Sequence, residues 1–288
     1  MKSAAIAIGA ILFGTALTAC GGSAQAEGTR VVASFYPYAF VAEQVGGPHV
    51  EVENLTSPGV EPHDVELKPK QVGAVQEADL VIHQQGFQNA VDRAVEQAGR
   101  SEDDVLDVAE LVSLSGRDPH TWLDPRTMIA VTQEVEARLS DADPTHAKEF
   151  AANARRLEAK IEQLDSDLAA GLKTCRTRTI VTSHAAFHYL AERYELSQVP
   201  IAGIEPSNEP SPAQLAEISS LVRHEGITTV FTEELVSSAV ADTVAQETGA
   251  GTATLDPIEG LGEDTADETY LTLMRRNLDT IRTANGCS

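Results

Sequence analysis

The sequence predicts an α/β protein of two lobes, each a mainly parallel sheet flanked by helices, joined by one long rigid helix. Three observations carry this. From residue 30 short apolar runs alternate with amphipathic stretches, the pattern of a parallel sheet covered by helices. The second half repeats the alternation without a residue-level repeat. Between the halves lies "DPTHAKEFAANARRLEAKIEQLDSDLAAGLK", residues 143–173, with no helix breaker before Gly171. At 1.5 Å per residue that stretch makes a rod of roughly 40 Å, too long for a connector inside one lobe.

In the first half, "RVVASF" reads as a strand and "YAFVAEQVGG" as a helix stopped by Gly46-Gly47. "VEVENLT" is a strand, "KPKQVGAVQEA" a helix, "DLVIHQ" a strand, "FQNAVDRAVEQAG" a helix and "DDVLDVA" a strand. Asp143 reads as the N-cap of the long helix and Pro144 as its first residue. In the second half, "RTIVTS" (strand) precedes "HAAFHYLAERY" (helix), and "QVPIAGI" (strand) precedes "SPAQLAEISSLVRHEG" (helix). "ITTVFTEE" (strand) precedes "SSAVADTVAQETGA" (helix), "GTATLDP" is the last strand and "TYLTLMRRNLDTIRTANG" the last helix. The expected division is 1–19 signal peptide, 20–29 tether, 30–142 first lobe, 143–173 connecting helix and 174–288 second lobe.

A charge of −23 over 288 residues argues against nucleic acid and anionic membrane surfaces as electrostatic partners and suits a protein that collects cations, as it does many ordinary acidic proteins. Lys2 followed by "AAIAIGAILFGTALTA" reads as a secretory signal, too short for a membrane span. "LTAC", ending at Cys20, resembles the lipobox of bacterial lipoproteins, which implies a lipidated Cys20. "GGSAQAEGT" behind it has the composition of a flexible tether. The expected location is the extracytoplasmic face of the cell membrane. In such an oxidising place the remaining pair, Cys175 and Cys287, is expected to form a disulfide, the alternatives being free thiols or a soft metal site.

Ligands of open α/β sheets bind beyond the carboxyl ends of the strands. Four polar residues lie there: His63 in "SPGVEPHDVELKP", His120 in "DPHTWLDP", His184 directly after "RTIVTS", and Asp256 directly after "GTATL". Taken singly, each histidine reads as a solvated loop residue and Asp256 as part of an ordinary turn. Taken together, two come from each lobe, so all four can meet in the cleft. Three imidazoles and a carboxylate form a four-coordinate set suited to Zn²⁺, whereas Mn²⁺ prefers more oxygen.

"EPHDVELKP", "DPHTWLDP", "TSHAAFHYLAERY", "GIEPSNEPSP" and "LDPIEG" together resemble the metal-binding proteins of bacterial ABC importers, nearest the zinc-uptake subgroup. The resemblance runs from about residue 30 to the last helix. It implies two Rossmann-like lobes joined by one rigid helix, with His63, His120, His184 and Asp256 as zinc ligands. It further implies a monomer that delivers Zn²⁺ to a membrane permease. Manganese-binding relatives carry either a glutamate or a histidine at the third position. Two departures stand out. The His-rich acidic loop of many zinc relatives is missing, since residues 64–119 hold only His83. His188 stands where relatives tend to have a small residue, and at one helical turn from His184 it is a candidate alternate ligand. Glu61 is a candidate further metal contact, and Asp64, Asp118 and Asp124 are candidate holders of the ligand imidazoles. Glu205 and Glu209 are expected to shape their loop, and Glu233 and Glu234 to line the cleft rim. The competing functions are manganese import, a zinc hydrolase with Asp256 as base, and an adhesion lipoprotein.

Overall fold

The structure is a computed structural model that describes residues 28–112 and 114–288. Cys20 and the signal segment lie outside the described residues. In the first lobe, β1 (Thr29–Ala33), β2 (Val50–Asn54), β3 (Leu80–His83) and β4 (Val105–Asp107) form one sheet in the order β2-β1-β3-β4. The second lobe repeats it with β5 (Thr179–Thr182), β6 (Ser197–Pro200), β7 (Thr229–Thr232) and β8 (Gly251–Thr254), in the order β6-β5-β7-β8. All pairings are parallel. The helices are α1 (Tyr36–Gly46), α2 (Pro69–Glu77), α3 (Asn89–Ala98), α4 (Pro125–Ala142), α5 (Ala147–Gly171), α6 (His188–Arg193), α7 (Pro212–Glu225), α8 (Ala239–Thr248) and α9 (Tyr270–Asn285). Both sheets reverse strand order between their second and third strands, which opens a crevice at the strand ends.

The connecting helix starts later than expected, at Ala147. Asp143 caps a turn instead: its side chain accepts from Thr145 N at 3.1 Å, and its carbonyl accepts from His146 N at 3.2 Å. Pro144 therefore marks a corner between α4 and α5. A corner this short makes the two helices antiparallel neighbours. The linker is thus half of a helical hairpin rather than a lone rod. α5 buries Phe150, Ala154, Leu157, Ile161, Leu164 and Leu168, spaced alternately four and three apart along one face. That face packs on α4 and α1 from the first lobe and on α9 from the second.

α6 also starts later, at His188 rather than His184. The His184 carbonyl accepts from Thr182 Oγ1 at 2.7 Å and from Gln198 Nε2 at 3.0 Å, while Ala185 N donates to Gly203 O. With these groups already paired outside the helix, His184 stays in the turn that leaves β5.

One buried apolar cluster runs through both lobes. It includes Phe35, Trp122 and Leu123 from the first and Leu255, Ile258 and Tyr270 from the second. A continuous apolar interface of this kind restrains relative lobe motion. Cys175 and Cys287 are bonded, as expected. The bridge closes a loop of 112 residues, a constraint on the unfolded chain worth about 5 kcal/mol by loop entropy.

Candidate metal centre

Three of the four expected ligands meet between the lobes: His63, His120 and His184. The fourth member of the cluster is Glu259, not Asp256. His120, His184 and Glu259 are buried, and the His63 side chain is only 1% exposed.

The three Nε2 atoms and Glu259 Oε1 face one another. His120 Nε2 lies 3.3 Å from both His63 Nε2 and His184 Nε2. Glu259 Oε1 lies 3.1 Å from His120 Nε2 and 3.5 Å from each of the other two. A tetrahedron with metal–ligand bonds of about 2.0–2.1 Å has edges of about 3.3–3.4 Å, the zinc geometry. Five of the six edges thus match a tetrahedral zinc centre. Among the described residues, none gives Glu259 Oε1 a directed hydrogen bond, although three nitrogens crowd it. A buried carboxylate oxygen left so, facing three imidazole nitrogens, fits a cation between them.

Each imidazole is held from behind at Nδ1. Asp118 Oδ1 lies 2.6 Å from His120 Nδ1 and also accepts from His120 N at 3.0 Å. Glu233 Oε2 lies 2.7 Å from His184 Nδ1, and its other oxygen accepts from His184 N at 3.1 Å. Glu205 Oε2 lies 3.3 Å from His63 Nδ1. A carboxylate at Nδ1 keeps the proton there and turns the Nε2 lone pair toward the centre. Of the expected holders Asp118 serves; Asp64 and Asp124 do not. Asp124 caps α4 through Arg126 N and pairs with Arg193 at 3.2 Å. Glu233, expected at the rim, and Glu205, expected only to shape its loop, are the other two. The sequence signal for Glu233 was its place just beyond β7, at the strand-order reversal.

The charges are tightly coupled. Burial alone lowers the His184 pKa, but the nearby carboxylates of Glu233 and Glu259 outweigh it and push it up to about 10. His120 is raised likewise, burial being outweighed by Asp118 and Glu259. Burial raises the Glu259 carboxyl, yet the three imidazoles hold it well below the usual carboxylate range. At His184 the centre therefore holds a proton that an arriving cation must displace.

Asp256 is a correction. Its carboxylate is buried but is not one of the cluster's groups. Oδ1 accepts from Ile258 N at 2.7 Å, and Oδ2 faces Arg276 Nη2 at 3.4 Å. Burial pushes its pKa up to about 6 against the pull of the Ile258 amide and Arg276. The turn from Asp256 onward carries the chain past the strand end, so the side chain that reaches the three imidazoles is Glu259, three residues further on. The only sequence signal for Glu259 was a second carboxylate in "LDPIEG". Ile258 adopts φ +57°, a left-handed conformation that costs a non-glycine residue about 1–3 kcal/mol. His188 is the second correction: its side chain is 44% exposed and pairs with Glu192 at 3.7 Å. Because α6 begins at His188, the two histidines do not share a helix face. Glu61 lies at the centre's edge. Its Oε1 accepts from His63 N at 3.2 Å, and burial plus the Glu259 charge push its pKa up to about 7.

Trp122 links the lobes beneath the centre. Its indole Nε1 donates to Pro257 O at 2.7 Å, and Tyr270 Oη donates to Trp122 O at 2.7 Å. The ring also packs edge-on to Phe35 and against His120. Gln84, just beyond β3, donates to Pro119 O at 2.6 Å and accepts from Thr121 Oγ1, fixing both sides of His120.

Residues 31–284 match the family described as zinc-uptake complex component A, periplasmic (ZnuA). The high-affinity zinc uptake system protein ZnuA of Bacillus subtilis is 31% identical over 295 residues, covering 92% of both chains. The zinc-binding lipoprotein AdcA of Streptococcus pneumoniae is 33% identical over 289 residues; 92% of this chain aligns with 58% of AdcA. The solved Zn(II)-bound ZnuA-like domain of that AdcA superposes with a TM-score of 0.79 at 32% identity, covering 90% of this chain and 99% of that one. The laminin-binding protein Lmb of Streptococcus agalactiae, described as having adhesin and metal-transporting activity, gives a TM-score of 0.82 at 32% identity, covering 89% and 99%. With this fold, this cluster and a match over most of its length, the chain belongs to the zinc-uptake complex component A family.

Proposed function

We propose that the chain captures Zn²⁺ outside the cytoplasmic membrane, in a closed centre of His63, His120, His184 and Glu259, and delivers it to the permease of an ABC importer. It is a zinc-binding uptake component, not an enzyme. The observation that carries the ligand assignment is the convergence of three Nε2 atoms and one carboxylate oxygen at tetrahedral spacing, each imidazole backed by a carboxylate. Four protein ligands leave no corner for a nucleophilic water, which argues against a zinc hydrolase. Three nitrogens favour Zn²⁺ over Mn²⁺. Glu61 stands by as a further oxygen at the edge. A cleft of about 470 Å³, lined in part by Glu61, Asp64, Ser183 and Glu209, adjoins the centre and offers an acidic approach for the ion. Cys20 anchors the chain by lipid, and it acts as a monomer. Among the described residues no helix is long and apolar enough to cross a membrane.

The test is a competition titration of the purified chain with Zn²⁺ and Mn²⁺ against a chromogenic chelator. Zn²⁺ is expected to win at equal free concentration, and His120→Ala and Glu259→Ala to lose tight binding. Preference for Mn²⁺, or an unchanged Glu259→Ala, overturns the assignment. The name of the Lmb neighbour raises adhesion as a second role; laminin binding that survives His120→Ala would place it on another surface.

A further inference from the structure

The fourth ligand candidate, Glu259, sits one residue after a backbone position that isoleucine ordinarily avoids. Ile258 is one of two non-glycine residues with positive φ among the described residues, and it is β-branched and buried. Such a conformation persists only where its surroundings impose it. The imposing contact is Asp256 Oδ1, which accepts from Ile258 N at 2.7 Å and closes a two-residue side-chain turn. Asp256 is itself fixed at both backbone atoms by one side chain: its N donates to Asn277 Oδ1 at 2.9 Å, and its carbonyl accepts from Asn277 Nδ2 at 2.6 Å. Pro257, between them, is held by the Trp122 indole of the other lobe. Past the turn, Gly260 leaves little room: a side chain there would meet Leu235 at 3.3 Å. Every residue from 256 to 258 is therefore tied, and the next side chain is the carboxylate of the centre.

We infer that Asp256 is a positioning residue for zinc: it never touches the ion but sets the turn that brings Glu259 Oε1 within tetrahedral reach of the three imidazoles. This rests on the zinc reading above. What matters is the geometry of the Asp256 acceptor, not its charge. An amide at 256 keeps an oxygen in the same place and loses the charge. A glutamate keeps the charge but is one methylene too long to close the turn.

The experiment measures Zn²⁺ affinity of the full chain by chelator competition for wild type, Asp256→Asn, Asp256→Glu and Asp256→Ala, each also combined with Glu259→Ala. Asp256→Asn is expected to stay within about threefold of wild type. Asp256→Ala and Asp256→Glu are expected to lose about 10–100-fold, the usual effect of an outer partner. In the Glu259→Ala background the same changes are expected to cost less than about twofold, because the group they position is gone. Should Asp256→Ala fail to fold, Asp256→Glu and Asp256→Asn carry the comparison. Loss in Asp256→Asn with retention in Asp256→Glu would show a charge effect and overturn the inference. Costs that add fully to Glu259→Ala would show a general structural role and overturn it too. A wild type that binds no zinc would instead refute the functional reading itself.

Discussion

The two lobes share one sheet order but hold their ligands differently. His184 stands two residues past β5, and its carboxylate partner Glu233 is the first residue past β7; both are buried, at a separation of 2.7 Å. His63 sits far along the loop after β2, and its partner Glu205 is 51% exposed at 3.3 Å. The positions just beyond the third strands correspond, Gln84 in one lobe and Glu233 in the other, and each supports its own lobe's histidine. Gln84 does so through the backbone at Pro119, and Glu233 does so directly at Nδ1. A ligand beside a strand end inherits the rigidity of the sheet, whereas one on a long loop needs a cross-lobe contact to hold it. His63 is thus the least fixed of the four, and Glu205 holds it from across the cleft.

This contrast can be broken by substitution. The largest expected loss of zinc affinity is for His120→Ala and His184→Ala, more than the ~10–100-fold typical of an outer partner. Next comes Glu233→Ala, with a loss of about 10–100-fold, against less than about tenfold for Glu205→Ala, since an exposed pair contributes little. Equal losses for the two would erase the distinction between the lobes. Both are read by chelator competition.

Affinity is also expected to rise with pH. Because the pKa of His184 is raised to about 10, it holds a proton near neutrality that Zn²⁺ must displace, and the upward shift of His120 acts in the same direction. Each displaced proton makes affinity change by about tenfold per pH unit, falling as pH falls. Calorimetry at pH 7 in buffers of different ionisation enthalpy is expected to show net proton release; none would contradict the charge arrangement.

Trp122→Phe keeps an aromatic ring but is smaller than the indole and leaves the buried Pro257 carbonyl without its donor, an expected loss of at least about 1–3 kcal/mol in stability with a smaller effect on affinity. The smallest effect on zinc is expected from reducing Cys175–Cys287. That should cost about 2–5 kcal/mol of stability, seen as a lower melting temperature, and leave affinity unchanged.

Most of the fold was legible because it is written in alternation: every strand and helix read from apolar periodicity has a counterpart. The misplaced boundaries were those set by side-chain bonding to the backbone. Asp143 reads as a helix cap and is instead the cap of a corner, and His184 reads as helical although its carbonyl is taken by Thr182 and Gln198. In the centre, the three histidines were legible only as a set, at strand ends in both lobes and inside the motifs that carry the family resemblance. Glu259 was not, because adjacency to the strand favoured Asp256, and the left-handed turn at Ile258 that hands the role onward leaves no trace in residue type. Glu205 was missed because its partner lies in the other lobe, a contact no local pattern encodes.

The central claim is a closed centre of three imidazoles and Glu259. Anomalous scattering at the zinc edge from crystals of the zinc-loaded chain tests it most directly. The expected result is one ion bonded to Nε2 of His63, His120 and His184 and to a Glu259 oxygen, at about 2.0–2.2 Å, with no bound water. An ion ligated by Asp256, or one whose fourth corner is a water, would contradict it.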